Sequence, residues 1–407
     1  MAAATPIPLL VVDDNEQFAA LLFSLLEAMQ PDMTFATRWV DTAGKARAEL
    51  DQQHYDIVLL DNKLPGADGL DILLEIGQLP ADRQPAVIML TATGTEAIAV
   101  QAMKRGAKDY LSKLDIELPA LTRAITGALE RRRLEREVRE KNEFLAADLN
   151  LAREIQQAFL PQHYPAFPRD RTPATSALQF THRYEPATAV GGDFFDVFPL
   201  SDTEAGILVC DVMGHGLRAA LVTAILRGLV EELMPVARDP GRFLTEINRG
   251  LHGVLKQTRR PLFTTACYLV ADVGRAQLRY ANAGHPSPLH VSRATGRVAP
   301  LAFAEQDAGP ALALMPDALY QTFETPLDAS DLVVAFTDGV FEVPGPGGEL
   351  YGEDRLQNAI RQRHALGAEA LFTELLAEVR QFAANGSFSD DICLLGIETR
   401  EIIRAVA

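Results

Sequence analysis

Acidic side chains placed at the ends of apolar runs are the first feature of this 407-residue chain that could do chemistry. Asp13 and Asp14 follow PLLVV, Asp61 closes IVLLD, Thr91 closes AVIMLT, and Lys113 follows DYLS. Three carboxylates brought to one rim would repel one another unless a divalent cation lay among them, and Mg²⁺ suits oxygen ligands. A carboxylate beside such a cation can attack a phosphoryl group and become an aspartyl-phosphate. A hydroxyl and an ammonium nearby would then bind the new oxygens. A second set recurs later in the chain. GGDFFD (191–196) offers Asp193 and Asp196, ILVCDVMGHG (207–216) offers Asp211, VVAFTDG (333–339) offers Asp338, and FSDDI (388–392) offers Asp390 and Asp391. Each acid borders an apolar run, where an uncompensated charge is costly to desolvate, so their convergence reads as a cage for two cations. Two neighbouring metals can activate a water near neutral pH and clamp phosphoryl oxygens. Phosphate monoesters need such help because they hydrolyse so slowly unaided. His215 and His285 each sit in a Gly-His pair, where an imidazole can shuttle a proton or hold a turn.

The elements that must position these groups follow from the hydrophobic pattern. Residues 8 to 115 alternate short strand-like runs with amphipathic stretches such as Phe18, Leu21, Leu22, Leu25 and Leu26. Five β/α repeats predict an α/β unit with a five-stranded parallel sheet and helices on both faces. In such a sheet the carboxyl ends of the strands share one rim, which is where Asp13, Asp14, Asp61, Thr91 and Lys113 would meet. Residues 117 to 160 are dense in helix formers, and Leu134, Val138, Leu145, Leu149, Ile155 and Phe159 recur at steps of three, four or a multiple. That pattern predicts one exposed helix with an apolar stripe. Lys141 and Asn142 interrupt the seam, so a coiled-coil homodimer and a single helix packed on its own domains both stay open. Pro161, Pro165 and Pro168 then end the helix. From residue 175 to 400, consecutive strand-like runs outnumber the helical ones, which predicts an α+β domain built on antiparallel sheets. The expected organisation is an α/β unit at 1–117, a helical linker at 118–160, and the α+β unit at 161–407.

The charge balance narrows the class of partner. A formal net charge of -17 argues against nucleic-acid binding, which relies on Lys and Arg to neutralise phosphates. Cys210, Cys267 and Cys393 lie in apolar runs without a CxxC pair, so they read as small buried hydrophobes rather than zinc ligands. No Cys-x5-Arg pattern supports thiol chemistry on phosphate esters. The first residues lack the basic start of a signal peptide, and no apolar run reaches the length of a membrane span. A cytoplasmic protein without membrane contact is expected.

Residues 8–130 resemble a response-regulator receiver domain, in the acidic pair, in LLDNKLPGADGL (59–70), and in Thr91 and Lys113. The resemblance implies that Asp61 is the phosphoacceptor, that Asp13, Asp14 and Asp61 hold Mg²⁺, and that a histidine kinase or phosphotransfer protein supplies the phosphoryl group. It makes Thr91 the switch hydroxyl, Lys113 the phosphate-binding lysine and Tyr110 the switch aromatic, although Tyr110 could equally be core. Leu114 stands where the family usually has Pro, so no cis bond is expected there. Residues 150–398 resemble the metal-dependent protein phosphatases, in the branch similar to stage II sporulation protein E. LAREIQQAFLP, VGGDFFDVF, CDVMGHG, YANAGHPSPL, TDGVFE and SDDI occur in the family's order. This resemblance implies an antiparallel β-sandwich flanked by helices, with Asp211, Asp338 and Asp390 as the catalytic acids around two Mn²⁺ or Mg²⁺. Asp211 would bridge both ions, Asp193 would bind directly or through water, and Val212 would offer its carbonyl. Asp196, Asp391, His215 and His285 are further candidates. The implied substrate is phosphoserine or phosphothreonine in another protein, and the family suggests an anti-sigma-factor antagonist of the STAS type. The rival reading is a partner-binding signalling scaffold with a catalytically weak phosphatase-like domain. No residue for recognising the substrate phosphate is identified, nor the sign of regulation.

Overall fold

A computed structural model of the chain describes residues 5–30, 33–92, 96–214, 216–258, 261–303 and 309–403. The first unit is built from β1 (Ile7–Val12), α1 (Glu16–Glu27), β2 (Phe35–Val40), α2 (Ala43–Gln52) and β3 (Ile57–Asp61). A two-residue ribbon of β4 (Lys63–Leu64) and β5 (Ala67–Asp68) follows, then α3 (Gly69–Gln78), β6 (Ala86–Thr91), α4 (Glu96–Lys104) and β7 (Asp109–Ser112). Five of these strands form a parallel sheet in the order β2-β1-β3-β6-β7. The central strands β3 and β6 are buried throughout, and β1 from Leu9 onward, because helices cover both faces. One face packs Leu10, Val58 and Met89 with Leu73 and Ile76. The other packs Leu9, Leu59 and Ile88 with Leu22, Leu121 and Ile125. Asn15 caps α1 by accepting a hydrogen bond from the Phe18 amide at 3.0 Å, and Asp68 caps α3 through the Leu70 amide at 2.9 Å. These caps satisfy amides that a helix start leaves unpaired.

The next helix, α5 (Leu118–Phe159), packs its first turns on the first unit. Leu121, Ala124, Ile125 and Ala128 are buried in the core of the first unit. Farther along, Arg132 pairs with Asp56, and Lys108 Nζ lies 2.7 Å from Glu135. The chain divides into two compact units after Leu145, inside this helix rather than at either end of it. Ion pairs one turn apart, Arg136 with Glu140 at 2.7 Å and Lys141 with Glu137 at 3.1 Å, support the exposed turns. Of the stripe read from the sequence, Leu134, Val138, Leu145 and Ile155 are 47–57% exposed, Leu149 is half-buried, and Phe159 packs against the core of the second unit.

The second unit contains β8 (Leu178–Glu185), β9 (Asp193–Pro199), β10 (Glu204–Val212), α6 (Leu217–Glu232), α7 (Pro240–Leu255), β11 (Thr264–Asp272) and β12 (Gln277–Ala283). It continues with β13 (Leu289–Ser292), β14 (Arg297–Pro300), β15 (Phe323–Pro326), β16 (Leu332–Phe336), α8 (Glu353–Gln362), α9 (Ala368–Phe382) and β17 (Ile392–Thr399). Two antiparallel five-stranded sheets run β15-β12-β11-β10-β9 and β14-β13-β16-β17-β8. A core of Phe195, Val209 and Leu269 from one sheet and Val333, Leu395 and Ile397 from the other lies in a cluster shared with Leu226, Phe243 and Ile247 of α6 and α7. A separate cluster joins Val291, Val334 and Leu394 to Leu356, Leu371 and Phe372 of α8 and α9. The sandwich with flanking helices agrees with the expected α+β class. The hairpin β13–β14 and the helices α8 and α9 were absent from the sequence reading. All three cysteines are buried and free. No described helix is long and apolar enough to cross a membrane.

Candidate functional site

In the first unit, the ends of β1, β3, β6 and β7 do bring the expected groups to one rim. Asp13, Asp14 and Asp61 each offer an oxygen within 4.8 Å of the others. Asp13 and Asp61 are buried and Asp14 is exposed. Lys113 Nζ lies 2.7 Å from Asp13 Oδ2 and 2.9 Å from Asp61 Oδ2. Burial raises the Asp61 pKa, Lys113 opposes the rise, and Asp13 adds to it. Burial alone would lower the Lys113 pKa, but Asp13 and Asp61 outweigh it and leave it raised. The ammonium therefore stays charged and partly neutralises a carboxylate group that would otherwise be self-repelling. Thr91 is buried at the same rim, in register with Ser112. Tyr110 is 45% exposed on β7, so it is not a core residue. The loop after Asp61 is held by contact with Gly69. A Cβ at residue 69 would sit 2.1 Å from the Asp61 carbonyl oxygen, and the Gly69 amide donates to Asn62 O at 2.8 Å. Three acids this close, with one oxygen ligand each, fit a hard divalent cation.

The single tryptophan of the chain reports on this rim. Trp39 Nε1 donates a 2.8 Å hydrogen bond to the carbonyl oxygen of Asp13. Adding Mg²⁺ is expected to change tryptophan emission along a saturating curve, and Asp13→Asn should flatten that curve in a fluorescence titration.

In the second unit, four segments deliver carboxylates to one end of the sandwich. Asp193 opens β9 and pairs in register with Asp211 near the end of β10. Asp338 follows β16, and Asp390 and Asp391 precede β17, its neighbour in the sheet. Asp193 is buried and accepts a 2.6 Å hydrogen bond from Thr337 Oγ1, whose oxygen also accepts the Cys393 amide at 3.0 Å. Burial and the charge of Asp211 raise the Asp193 pKa well above the usual range, against the Thr337 bond. The Asp211 pKa is pushed up to about 7, first by burial and then by the charges of Asp338, Asp390 and Asp391. Burial likewise raises Asp338, where Glu342 and Asp390 add to it. The charges that raise Asp211 are those of other acids, so the cluster lacks the neutralisation that Lys113 provides in the first unit. Among the described residues, the first-unit trio is the one group of three whose ligand atoms fall within 4.8 Å. The second cluster is more open. Its uncompensated acids fit divalent cations, with Asp193, Asp211, Asp338, Asp390 and the Val212 carbonyl as the atoms that would hold them.

Other candidates take different places. Asp391 is buried and serves the backbone: its oxygens accept the Ala187 amide at 2.8 Å and the Gly192 amide at 2.6 Å. Burial raises its pKa and those two amides oppose the rise. Asp196 lies three residues from Asp193 on the same strand, so its side chain faces the other side of the sheet. There Arg227 of α6 is 3.4 Å away, and Asp196 does not join the cluster. His285 is buried, with Nδ1 2.8 Å from Thr265 Oγ1 and its amide on Asn282 Oδ1 at 2.7 Å. Burial pushes its pKa down to about 3, so it is neutral near pH 7 and holds a turn. His215 lies outside the described residues.

Several positioning residues were not singled out from the sequence. Thr337 joins Asp193 to β17, as described. Gly339 lies so close to Asp391 that a Cβ would sit 1.9 Å from its carbonyl oxygen. Gln156, near the end of α5, donates through Nε2 to Gly191 O at 2.7 Å and accepts the Gly191 amide on Oε1 at 3.1 Å. That pair of bonds holds the backbone two residues before Asp193. The signal for Gln156 was its place in LAREIQQAFLP: a glutamine on a helix that the structure buries at 5% exposure.

Comparison with known proteins places both regions. Residues 9–126 match the family described as response regulator receiver domain. Residues 201–400 match the family described as Stage II sporulation protein E (SpoIIE). Gln156 and Asp193 fall between the two matches, and the fold alone ties them to the second. The chain is similar to protein IcfG of Synechocystis sp., at 26% identity over 61% of this chain and 41% of that protein. It is also similar to phosphoserine phosphatase RsbP of Bacillus subtilis, at 25% identity over 62% of this chain and 58% of that one. It thus spans less than two thirds of either relative's length. Among solved structures, the SiaA-PP2C domain of Pseudomonas aeruginosa shares the fold, with a TM-score of 0.53 at 24% identity, covering 63% of this chain and 98% of that one. With the acid-rimmed parallel sheet and the carboxylate-bearing sandwich already established, these matches show a response regulator receiver domain over residues 9–126 and a stage II sporulation protein E domain over residues 201–400.

Proposed function

We propose that this chain is a response regulator whose second domain hydrolyses phosphoserine or phosphothreonine in a partner protein, under the control of phosphorylation at Asp61. The observation that carries the reading is the gathering of Asp193, Asp211, Asp338 and Asp390 from four segments, where the charges that raise the Asp211 pKa are those of Asp338, Asp390 and Asp391. When bound, two Mn²⁺ or Mg²⁺ ions would lower the pKa of water and neutralise the phosphoryl oxygens. Asp211, in register with Asp193, would hold the ions together with Asp193, Asp338 and Asp390. Thr337 fixes the Asp193 carboxylate, and Gln156 with Asp391 fixes the Gly191–Gly192 backbone beside it. In the receiver, Mg²⁺ would be held by Asp13, Asp14 and Asp61, and Lys113 would take the oxygens of the phosphoryl group that Asp61 accepts. A histidine kinase or phosphotransfer protein is the proposed donor, with Thr91 and Tyr110 as the groups that respond. An anti-sigma-factor antagonist of the STAS type is the proposed substrate, in a cytoplasmic setting. The exposed Leu134, Val138, Leu145 and Ile155 of α5 support pairing with a second copy of the chain.

The direct test is turnover of a phosphoserine peptide and of p-nitrophenyl phosphate by the purified protein with Mn²⁺. Release of phosphate that stops on chelation is expected; no release above the chelated control on either compound would sink the enzymatic reading in favour of a scaffold. For the receiver, labelling by acetyl phosphate should be lost in Asp61→Asn, and label retained by that variant would move the acceptor elsewhere.

Gln156→Ala removes both bonds to Gly191. Losing a buried hydrogen-bonded group costs about 1–3 kcal/mol, so Mn²⁺ affinity measured by activity titration is expected to fall about 10-fold. Saturating Mn²⁺ should restore most of the rate.

A further inference from the structure

The receiver unit carries a basic pocket that neither carboxylate site uses. It lies beside the starts of β6 and β7, at the opposite end of the sheet from Asp61, where α3 and α4 end and the middle of α5 passes. Arg105, Lys108, Arg132, Arg136 and Arg139 line it, against two acids, Asp82 and Glu135. The whole chain has the reverse balance, with 38 basic and 55 acidic residues, so a local excess of cations on one small concavity is not a by-product of composition. Ile76 and Val87, both buried, form part of its apolar floor.

Three of the five cations are answered by acids: Lys108 by Glu135 at 2.7 Å, Arg132 by Asp56, and Arg136 by Glu140 at 2.7 Å. Arg105 reaches Asp71 only at 4.0 Å, and Arg139 has no ion pair or hydrogen bond among the described residues. Arg139 is thus left without a partner among the described residues, and Arg105 is held by Asp71 only at the limit of an ion pair. A guanidinium presents paired donors that match phosphate oxygens, and cations gathered in a concavity focus their field on an anion there. The pocket holds about 140 Å³, less than the roughly 300–1,000 Å³ of sites that enclose drug-sized ligands. That size suits a compact anionic group, not an entire large ligand.

We propose that this pocket binds a small-molecule polyanion of the diphosphate class, as a second input to the receiver unit that is separate from Asp61. The bound anion would link Arg105 at the end of α4 to Arg136 and Arg139 of α5. It would thereby hold the 132–139 segment of α5 against the body of the receiver. This inference stands on the geometry of the receiver alone and does not depend on the activity of the second domain.

The test is calorimetric titration of the full chain with inorganic pyrophosphate in metal-free buffer at low salt. One saturable site is expected, weakened at least 10-fold in the Arg105→Glu/Arg139→Glu double variant and unchanged in Lys113→Ala and Asp211→Asn. Those two controls report binding at the carboxylate sites. Hydrogen exchange of residues 131–139 should slow on binding in the wild type and not in the double variant. ADP should compete through its diphosphate, and a phosphoserine peptide should not. Unchanged binding by the folded double variant, loss of binding in either control, displacement by sulfate at equal ionic strength, preference for the peptide, or no heat at all would each overturn the proposal. Circular dichroism of the double variant establishes that it is folded.

Discussion

Asp211→Asn is expected to cut turnover of a phosphoserine peptide by at least about 100-fold while making the metal-free protein more stable. Losing an outer-shell partner of a metal ligand already costs about 10–100-fold in affinity or activity, and Asp211 is proposed as the ligand shared by both ions. The stability effect has the opposite sign because the carboxylate is a liability without cations. It is half-buried and stands near Asp338, Asp390 and Asp391, which is why its pKa is pushed up to about 7 from an ordinary 3.8. In the unfolded chain the group ionises near that ordinary value. Between the two, the folded protein binds the extra proton, so metal-free stability falls as pH rises through the window from about 3.8 to about 7. The amide carries no charge and escapes this loss. A melting temperature for Asp211→Asn that exceeds wild type at pH 8, but approaches it at pH 4, would show the effect in a pair of thermal scans in chelator. Equal melting temperatures at pH 8 would mean that Asp211 is not desolvated. The same titration gives the metal dependence its sign. Divalent cations need the ionised carboxylate, so apparent Mn²⁺ affinity is expected to rise with pH through the range in which Asp211 ionises, around 7.

Gly339→Ala is expected to abolish activity by a different route, through the backbone. The new Cβ would sit 1.9 Å from the Asp391 carbonyl oxygen and 3.0 Å from its carbonyl carbon. Both are main-chain atoms that cannot rotate away, so the segment carrying Asp338 must separate from the one carrying Asp390 and Asp391. Overpacking in a tight core costs about 1–3 kcal/mol, and here the Thr337–Cys393 backbone bond at 3.1 Å lies in the same seam. A loss of about 3 kcal/mol in urea unfolding is expected together with loss of Mn²⁺ binding. Asp338→Asn provides the contrast, since it should lose activity without losing stability. A second contrast is Gly253→Ala in α7, where a Cβ meets nothing within 4 Å. Relief of glycine's entropy should stabilise that variant by about 0.5–1 kcal/mol. Wild-type stability in Gly339→Ala would show that the two segments are not held as closely as described. The receiver uses the same device at Gly69, which lies against the carbonyl of Asp61.

Much of this arrangement was legible in the residues. A carboxylate at the end of an apolar strand is conspicuous because burial penalises its charge, so Asp13, Asp61, Asp193, Asp211 and Asp338 stood out against their neighbours. Parallel β/α alternation also implied the shared rim, since strand direction alone sends all carboxyl ends the same way. The face of a strand is readable too: Asp193 and Asp196 differ by an odd step, and the period of two already separates them. The helix was harder. Its apolar stripe was visible, but the division between core and exposed turns was not, because Leu121 and Leu134 look alike until a sheet covers one of them.

What the chain's own order determines, then, is the inventory: which acids border strands, which runs are strands, and where the prolines end α5. Tertiary structure alone assigns the duties. Asp391 became a clamp for the Gly192 amide, Thr337 a holder of Asp193, and Gln156 a tie to Gly191, each across 35 or more residues of sequence. Lys113 neutralises the receiver's acids, while the charges that act on Asp211 in the second domain are those of further acids, although both sets read alike as strand-end carboxylates. The reason is that a hydrogen bond or a Coulomb interaction depends on distance and burial in space, and register and packing between remote strands decide those quantities.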